Sequence, residues 1–214
     1  LANVDASSRK KIKSKLLESN LSEFNLHESI EGDGKLGHHE KITTGCILAV
    51  DPVGATDLDD CIHYDEVEGT VSVHITDPTY VCPLNIGEKL NGNTVDFAEL
   101  LNLYSSVYDS EQVGHMLPDQ LVAETTLTSK EYRPTIYIKW KIVQSPDCNS
   151  DELQYMNHGK GLVKLTSAMT YDEFSQSPDS AVIYKQLSSV FNTTEPTEII
   201  ANMMIKYNIA MASN

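Results

Sequence analysis

The chain has 214 residues, 40% hydrophobic and 22% charged, which is enough apolar content for one large globular domain or two small ones. No apolar run approaches the roughly 18 residues of a membrane-spanning helix, so no membrane is expected as a partner. Thirty-one acidic residues against sixteen basic ones give a net charge of −15. Such an excess repels polyanions at long range and, taken alone, argues against a nucleic-acid binder.

Residues 1–42 read as a lead-in. The opening stretch "LANVDASSRKKIKSKLLESN" is basic with no apolar core behind it, so it is no secretory signal. It begins with Leu rather than Met, which suggests a fragment or a processed chain. Ile12, Leu16 and Leu17 share one face of a short amphipathic helix. "EGDGKLGHHEK" follows as an exposed turn, and His38, His39 and Glu40 are read as solvated loop residues rather than metal ligands.

The strand signals begin at Cys46–Val50, an apolar run bounded by Gly45 and Asp51–Pro52, the pattern of a buried strand. "CIHY" starts a second strand. "TVSVHITD" alternates, with Val71, Val73 and Ile75 on one face and Ser72, His74 and Thr76 on the other. "VDFAELLNLYSSVY" has a helical period in Phe97, Leu100, Leu101 and Tyr104. "PTIYIKWKIV" alternates again through Ile136, Ile138, Trp140 and Ile142. The stretch from Thr170 to Phe191 opens with the helix-start pair Thr170 and Glu173, and an apolar helix follows Pro196. The pattern is α+β, with hairpins in place of alternating βαβ units. Cys46, Cys61, Cys82 and Cys148 are scattered without a CxxC pair, which points to free thiols in a reducing compartment.

The chemistry concentrates in "AVDPVGATDLDDCIHY". Asp51 ends a buried strand, and the tight loop through Pro52, Gly54 and Thr56 can return Asp57, Asp59 and Asp60 to its side. Carboxylates brought together raise one another's pKa unless a cation sits among them, and Mg²⁺ or Mn²⁺ suits an all-oxygen set. A calcium EF-hand loop does not fit: counted from Asp57, its sixth position needs Gly and holds Ile62. The bland alternative is a solvated acidic loop, weakened because the loop is tied directly to two apolar strands. The residues by themselves reach Mg²⁺-dependent phosphoryl transfer or hydrolysis.

The same stretch resembles the signature of the RNB catalytic domain of the ribonuclease II and ribonuclease R family, roughly D-P-x-x-A-x-D-x-D-D-A. Four further stretches are similar in the right order: "VSVHITDPTYV", "VYDSEQVGHMLPDQLVAETTLTSKEYRP", "LTSAMTYDEF" and "EIIANMMIKYNIAMA". The resemblance covers about residues 41–210. It implies an RNB-type fold, a mixed and mainly antiparallel sheet with packed helices, with residues 43–214 as the N-terminal part of the catalytic domain. It implies a 3′→5′ exoribonuclease that hydrolyses single-stranded RNA to nucleoside 5′-monophosphates with Mg²⁺, Mn²⁺ being the substitute.

Carried over by position, Asp51 and Asp60 are direct metal ligands, and Asp57 supports a second metal or its water. Asp59 is also placed at the metal and is the member least dispensable for cleavage. Asp57 and Asp59 are thus the catalytic pair. Tyr108, eight residues before Met116, matches the family's tyrosine that stacks on the 3′-terminal nucleotide. The departures are Leu165 and Ala168 where the family carries basic and small polar residues, Ala201–Asn202 in place of a Glu-Glu pair, and a short stretch between Phe174 and Ile199. The chain also ends before the family's T-S-P-I-R-R-Y region, and its flanking OB-type domains are not in this sequence. On that reading the acidic excess belongs to a piece that holds the acids without the basic half of the channel, and the piece alone is inactive. The competing readings are a non-catalytic RNB-like RNA-binding protein and an unrelated Mg²⁺ protein acting on small phosphate compounds. The absence of a GxxxxGK[ST] loop speaks against the second. The expected location is intracellular, in the cytoplasm ahead of the nucleus or an organelle.

Overall fold

A computed structural model of the protein describes residues 39–81, 119–144 and 151–213, together with short strands at 89–90, 93–94, 107–108 and 113–114. In chain order the elements are β1 (Glu40–Lys41), β2 (Cys46–Asp51), β3 (Asp60–Asp65), β4 (Thr70–Thr76), α1 (Pro78–Val81), β5 (Lys89–Leu90), β6 (Asn93–Thr94), β7 (Val107–Tyr108) and β8 (Val113–Gly114). They continue with α2 (Asp119–Thr125), β9 (Arg133–Gln144), β10 (Asp151–Val163), β11 (Ser167–Thr170), α3 (Tyr171–Gln176), α4 (Ala181–Phe191) and α5 (Pro196–Ser213). One unit spans His38–Asp77 and Thr126–Asn214 and holds the large sheet, and Pro78–Thr125 belongs to a second. In that second unit β5 pairs with β6 and β7 with β8.

The large sheet has seven strands in the order β1, β10, β9, β4, β3, β2, β11. Its four inner pairings are antiparallel, and the outermost ones, β1 on β10 and β11 on β2, are parallel. This is the α+β class with the mainly antiparallel mixed sheet expected from the sequence.

The alternation of β4 and β9 explains the main core. Val71, Val73, Ile138 and Trp140 point to one face, joined there by Leu48, Val50, Ile62 and Tyr64. Three helices close that face with Phe174 of α3, Ile183 and Leu187 of α4, and Ile199, Met203 and Tyr207 of α5. β2 reads as a continuous apolar run because both its faces are covered: Ile47 and Ala49 join Cys61, Leu127, Val163 and Leu165 in a smaller cluster on the other side.

The helix starts obey their local signals. Thr170 caps α3 in a capping box, its hydroxyl accepting from the Glu173 N–H at 3.3 Å while the Glu173 carboxylate accepts from the Thr170 N–H at 2.7 Å. The stretch 170–191 holds two helices. Ser177 precedes Pro178 and is extended (φ −73°, ψ 136°), which stops α3 after Gln176. Pro196 opens α5 at the position where its missing N–H costs nothing.

The helical expectation over 95–108 falls outside the described residues except for Val107 and Tyr108, which are strand. The lead-in helix, Cys82 and Cys148 also lie outside them, and Cys46 and Cys61 are free thiols. Among the described residues no helix is long and apolar enough to cross a membrane.

Phe174 is fully buried where α3 meets the sheet, with its ring edge-on to Tyr184 at 5.6 Å. Phe174→Ala removes a whole ring from a packed core and should cost about 3–5 kcal/mol. Urea denaturation followed by circular dichroism measures it, and a loss under 1 kcal/mol would place the core elsewhere.

Candidate active site

β2 and β3 pair only through Cys46–Tyr64, Ile47–His63 and Leu48–Ile62. Beyond that point they part. Ala49, Val50 and Asp51 continue alongside β11, while Asp60 and Cys61 continue alongside β4. Asp51 and Asp60 therefore flank a split in the sheet, and residues 52–59 connect them across it.

The connecting loop is short of freedom. Gly54 takes φ +87°, a conformation L side chains avoid, and Ala55 N–H closes a turn onto the Pro52 carbonyl at 3.2 Å. Leu58 drops its side chain against the smaller apolar cluster, and its carbonyl accepts from the Leu127 N–H at 2.8 Å. The Asp59 carbonyl accepts from the Thr76 N–H at 2.9 Å. The backbone on which Asp57 and Asp59 stand is thus pinned to β4 and to the segment before β9.

The four carboxylates feel one another. Burial raises the Asp51 carboxyl, and the charges of Asp57 and Asp59 raise it further. Burial, Asp51 and Asp59 together push Asp60 up to about 6. Asp59 is exposed and the other three are half-buried. The Asp51 Oδ2 atom is buried without a hydrogen-bond partner, which costs free energy unless a donor or a cation meets it. The donor set is all oxygen and suits a hard divalent cation. Its spacing is open: among the described residues no three His, Cys, Asp or Glu side chains are gathered tightly enough to hold one ion.

Two neighbours were not singled out from the sequence as site residues. Tyr171 follows Thr170, which lies opposite Asp51 in the β11–β2 pairing. Burial raises its phenol, and Asp51 and Asp60 raise it further, so its hydroxyl keeps its proton beside the acids. The signal was present in the Thr170 cap, which fixes the first residue of α3 at this end of the sheet. Asp77, directly after β4, is buried with Lys160 Nζ 3.4 Å from its carboxylate. Tyr108 of β7 pairs along the backbone with Val113 of β8, and its side chain lies outside the described residues.

The second face of the sheet holds a buried polar chain where the alternation alone suggested only a polar side. Thr135 Oγ1 donates to the Gly161 carbonyl at 3.2 Å and so accepts from His74 Nδ1 at 3.0 Å. His74 Nε2 then accepts from Ser72 Oγ at 3.2 Å. His63 Nδ1 lies 3.2 Å from that same hydroxyl, and its Nε2 lies 2.9 Å from the Thr44 carbonyl. Burial holds His74 neutral, down to about 3, and lowers His63 against the pull of Thr44. A polar cavity of about 180 Å³ lies over this chain, with Glu40, Asp65 and Lys139 in its wall.

The chain belongs to the RNB-domain family, which it matches over residues 39–187, a family that includes exoribonucleases. It is 30% identical over 132 residues to a probable exosome complex exonuclease, RRP44, of Caenorhabditis elegans, covering 59% of this chain and 12% of the relative. The fold is shared with the apo form of Mycoplasma genitalium RNase R: TM-score 0.55, 15% identity, 92% of this chain and 31% of that one. It is shared also with yeast Ssd1, described as a pseudonuclease: TM-score 0.55, 13% identity, 74% of this chain and 20% of that one. The chain thus spans less than a third of the length of each.

Asp60 is favoured in its protonated form by folding, so it lowers stability as pH rises from its unfolded value of 3.8 to about 6. His74, lowered from 6.5, has the opposite sign over an overlapping window, so a difference between variants isolates Asp60. Asp60→Asn should gain stability over the unaltered protein as pH rises from about 4, levelling above about 6.5 at on the order of 3 kcal/mol. Urea titrations at stepped pH in metal-free buffer measure it, and a pH-independent difference would remove Asp60 from the cluster.

Proposed function

We propose that this chain carries the metal-binding acids of a 3′→5′ exoribonuclease, which hydrolyses single-stranded RNA to nucleoside 5′-monophosphates. The observation that supports it most is the pair Asp51 and Asp60 across the split sheet, both raised in pKa, with one Asp51 oxygen buried and unmatched. Asp51 and Asp60 would hold Mg²⁺ directly, with Mn²⁺ as substitute, and Asp57 and Asp59 would complete its surroundings. When bound, the ion supplies charge stabilisation to the phosphodiester and an activated water. The protein's own part is to hold Asp51 and Asp60 on strand ends and Asp57 and Asp59 on a pinned loop, where a bound cation relieves their repulsion. Tyr108 would stack on the 3′-terminal nucleotide. The free thiols of Cys46 and Cys61 fit a reducing intracellular compartment. RNase R of Mycoplasma genitalium has been solved with single-stranded and double-stranded RNA, which supports RNA as the ligand class.

The second reading is a binding protein that keeps the fold without cleavage, and the shared fold with a pseudonuclease favours it. The four aspartates weigh against it, since a purely binding role has no use for mutually repelling acids.

Metal binding is tested without any activity. Millimolar Mn²⁺ or Mg²⁺ should raise the melting midpoint, because an ion that binds only the folded chain stabilises it by mass action. Asp60→Asn and Asp59→Asn should lose most of that rise. A midpoint indifferent to both ions would remove the metal from the proposal.

Cleavage is tested in the intact protein with 5′-labelled single-stranded RNA. The label should shorten progressively from the 3′ end with Mg²⁺ and stay intact with EDTA. Asp59→Asn should abolish shortening while RNA affinity stays within a few-fold, since the lost acid acts on the transition state and not on the bound strand. Endonucleolytic fragments, or full cleavage by Asp59→Asn, would overturn the assignment. Tight binding with no cleavage under any divalent ion would establish the second reading.

A further inference from the structure

Acidic side chains outnumber basic ones by 31 to 16, so an exposed lysine on this chain has carboxylates to choose from. Lys41 and Lys164 turn instead to an aromatic ring. Lys41 Nζ lies 4.2 Å from the Tyr132 ring centroid and Lys164 Nζ lies 5.6 Å from it. Among the described residues neither lysine has an ion-pair partner. Both lysines are exposed and the tyrosine is half-buried.

The three residues are assembled by the register of the sheet. Lys41 ends β1 opposite Leu162, Lys164 follows the end of β10, and Tyr132 precedes Arg133, which lies opposite Val163. The same register places them at the end of the sheet that carries the acids. Asp60 lies opposite Ile75, Ile75 lies opposite Ile136, and β9 begins three residues before Ile136 in that direction. Two strand spacings of about 4.8 Å separate β3 from β9, and four residues of about 3.3 Å separate Ile136 from Tyr132, so Tyr132 stands on the order of 15 Å from Asp60. The supports are also shared. Ile42, Val163 and Leu165, the sequence neighbours of the two lysines, pack in the same apolar cluster as Leu58, which stands between Asp57 and Asp59.

We propose that Tyr132, Lys41 and Lys164 form a subsite for single-stranded RNA on the path to the acid loop, resting on the exoribonuclease reading above. A base stacks on the Tyr132 ring, and the two ammonium groups, released from the ring they cover, take adjacent phosphates. An exposed lysine over a half-buried ring is held weakly, so a base displaces it at little cost. Stacking on an aromatic with cations beside it is a sequence-tolerant grip, as a strand that must slide requires. It also gives a strongly acidic chain a local attraction where its net charge supplies none.

The test is fluorescence anisotropy of a labelled single-stranded oligoribonucleotide on the intact protein in EDTA, which stops cleavage, over a series of salt concentrations. Lys41→Gln with Lys164→Gln should weaken binding and reduce the slope of log affinity against log salt by about 1.4, two phosphates at roughly 0.7 each. Tyr132→Ala should weaken binding about five- to one-hundred-fold, and Tyr132→Phe should bind as the unaltered protein does. If the unaltered protein binds RNA and the lysine pair and Tyr132→Ala match it in affinity and slope, the subsite is overturned and the exoribonuclease reading stands. If Tyr132→Phe is as weak as Tyr132→Ala, the ring is not the platform and the proposal also fails. If the unaltered protein binds no single-stranded RNA even at low salt, both readings fall together.

Discussion

The antiparallel pairing of β2 with β3 stops after Leu48 and Ile62, and the geometry of the site follows from that stop. A sheet that splits at one end offers two strand ends side by side with their backbones already committed elsewhere, to β11 on one side and β4 on the other. The gap between them is lined by rigid elements and bridged by a loop of eight residues. Open α/β sheets place ligands at a comparable divergence, where neighbouring strands part company. Here an aspartate stands on each side of the split and two more stand on the bridge.

Holding those acids near one another opposes folding, and the surrounding structure denies them an escape. Asp59 and Leu58 have their carbonyls fixed by Thr76 and Leu127, and the Leu58 side chain is anchored among Ile47, Ala49 and Cys61. A free acidic loop would swing its carboxylates into water and shed the repulsion. This one keeps it, as the raised Asp51 and Asp60 carboxyls record. The free energy to sustain that strain comes from the opposite face, where three helices bury the aliphatic rows of β4 and β9. Fold and site are therefore coupled through the two faces of one strand: β2 presents Leu48 and Val50 to the large core and Ile47 and Ala49 to the small one.

Much of this was legible in the sequence because it rests on local rules. The apolar run of β2, the alternation of β4 and β9, the Thr170–Glu173 cap and the Pro196 start each need only a few neighbouring residues to be read. β10 escaped for a physical reason. Its residues "DELQYMNHGKGLV" neither alternate nor bury evenly, because the strand carries a bulge between Tyr155 and Asn157 and its first half is largely exposed. Its glycine at 159 answers to a partner far away in sequence, since a Cβ there would meet the Tyr137 hydroxyl at 3.0 Å. The polar row of β4 was read correctly as one face, but its burial depends on Thr135 and Gly161 from other strands, and no window of sequence contains them. Of the site, the four aspartates were visible as a motif and the loop as a turn. Tyr171 and the lysines around Tyr132 were not, because sheet register is what brings them to that end.

Whether a chain of this fold cuts RNA or only holds it turns on an asymmetry of cost. Fold alone does not decide it, since RNase R and a pseudonuclease share the architecture at similar likeness to this chain. Binding a strand requires aromatic surface and a few cations, which are inexpensive to keep on a surface. Four acids held on two strand ends and a pinned loop repel one another and would repel the phosphates of a bound strand. In a binding protein each Asp→Asn change would relieve strain and improve affinity together, so nothing would maintain the set. In a hydrolase the same repulsion is what a divalent cation neutralises, and the site becomes favourable only when the ion and the phosphodiester are both in place. Asp51 and Asp60 on fixed strand ends, with Asp57 and Asp59 on a loop that cannot relax, thus argue for the hydrolase reading, an argument that the global charge of −15 obscures. That charge acts at long range and is screened within about 8–10 Å at physiological salt, whereas the choice between cutting and holding is made by charges a few ångströms from the scissile phosphate.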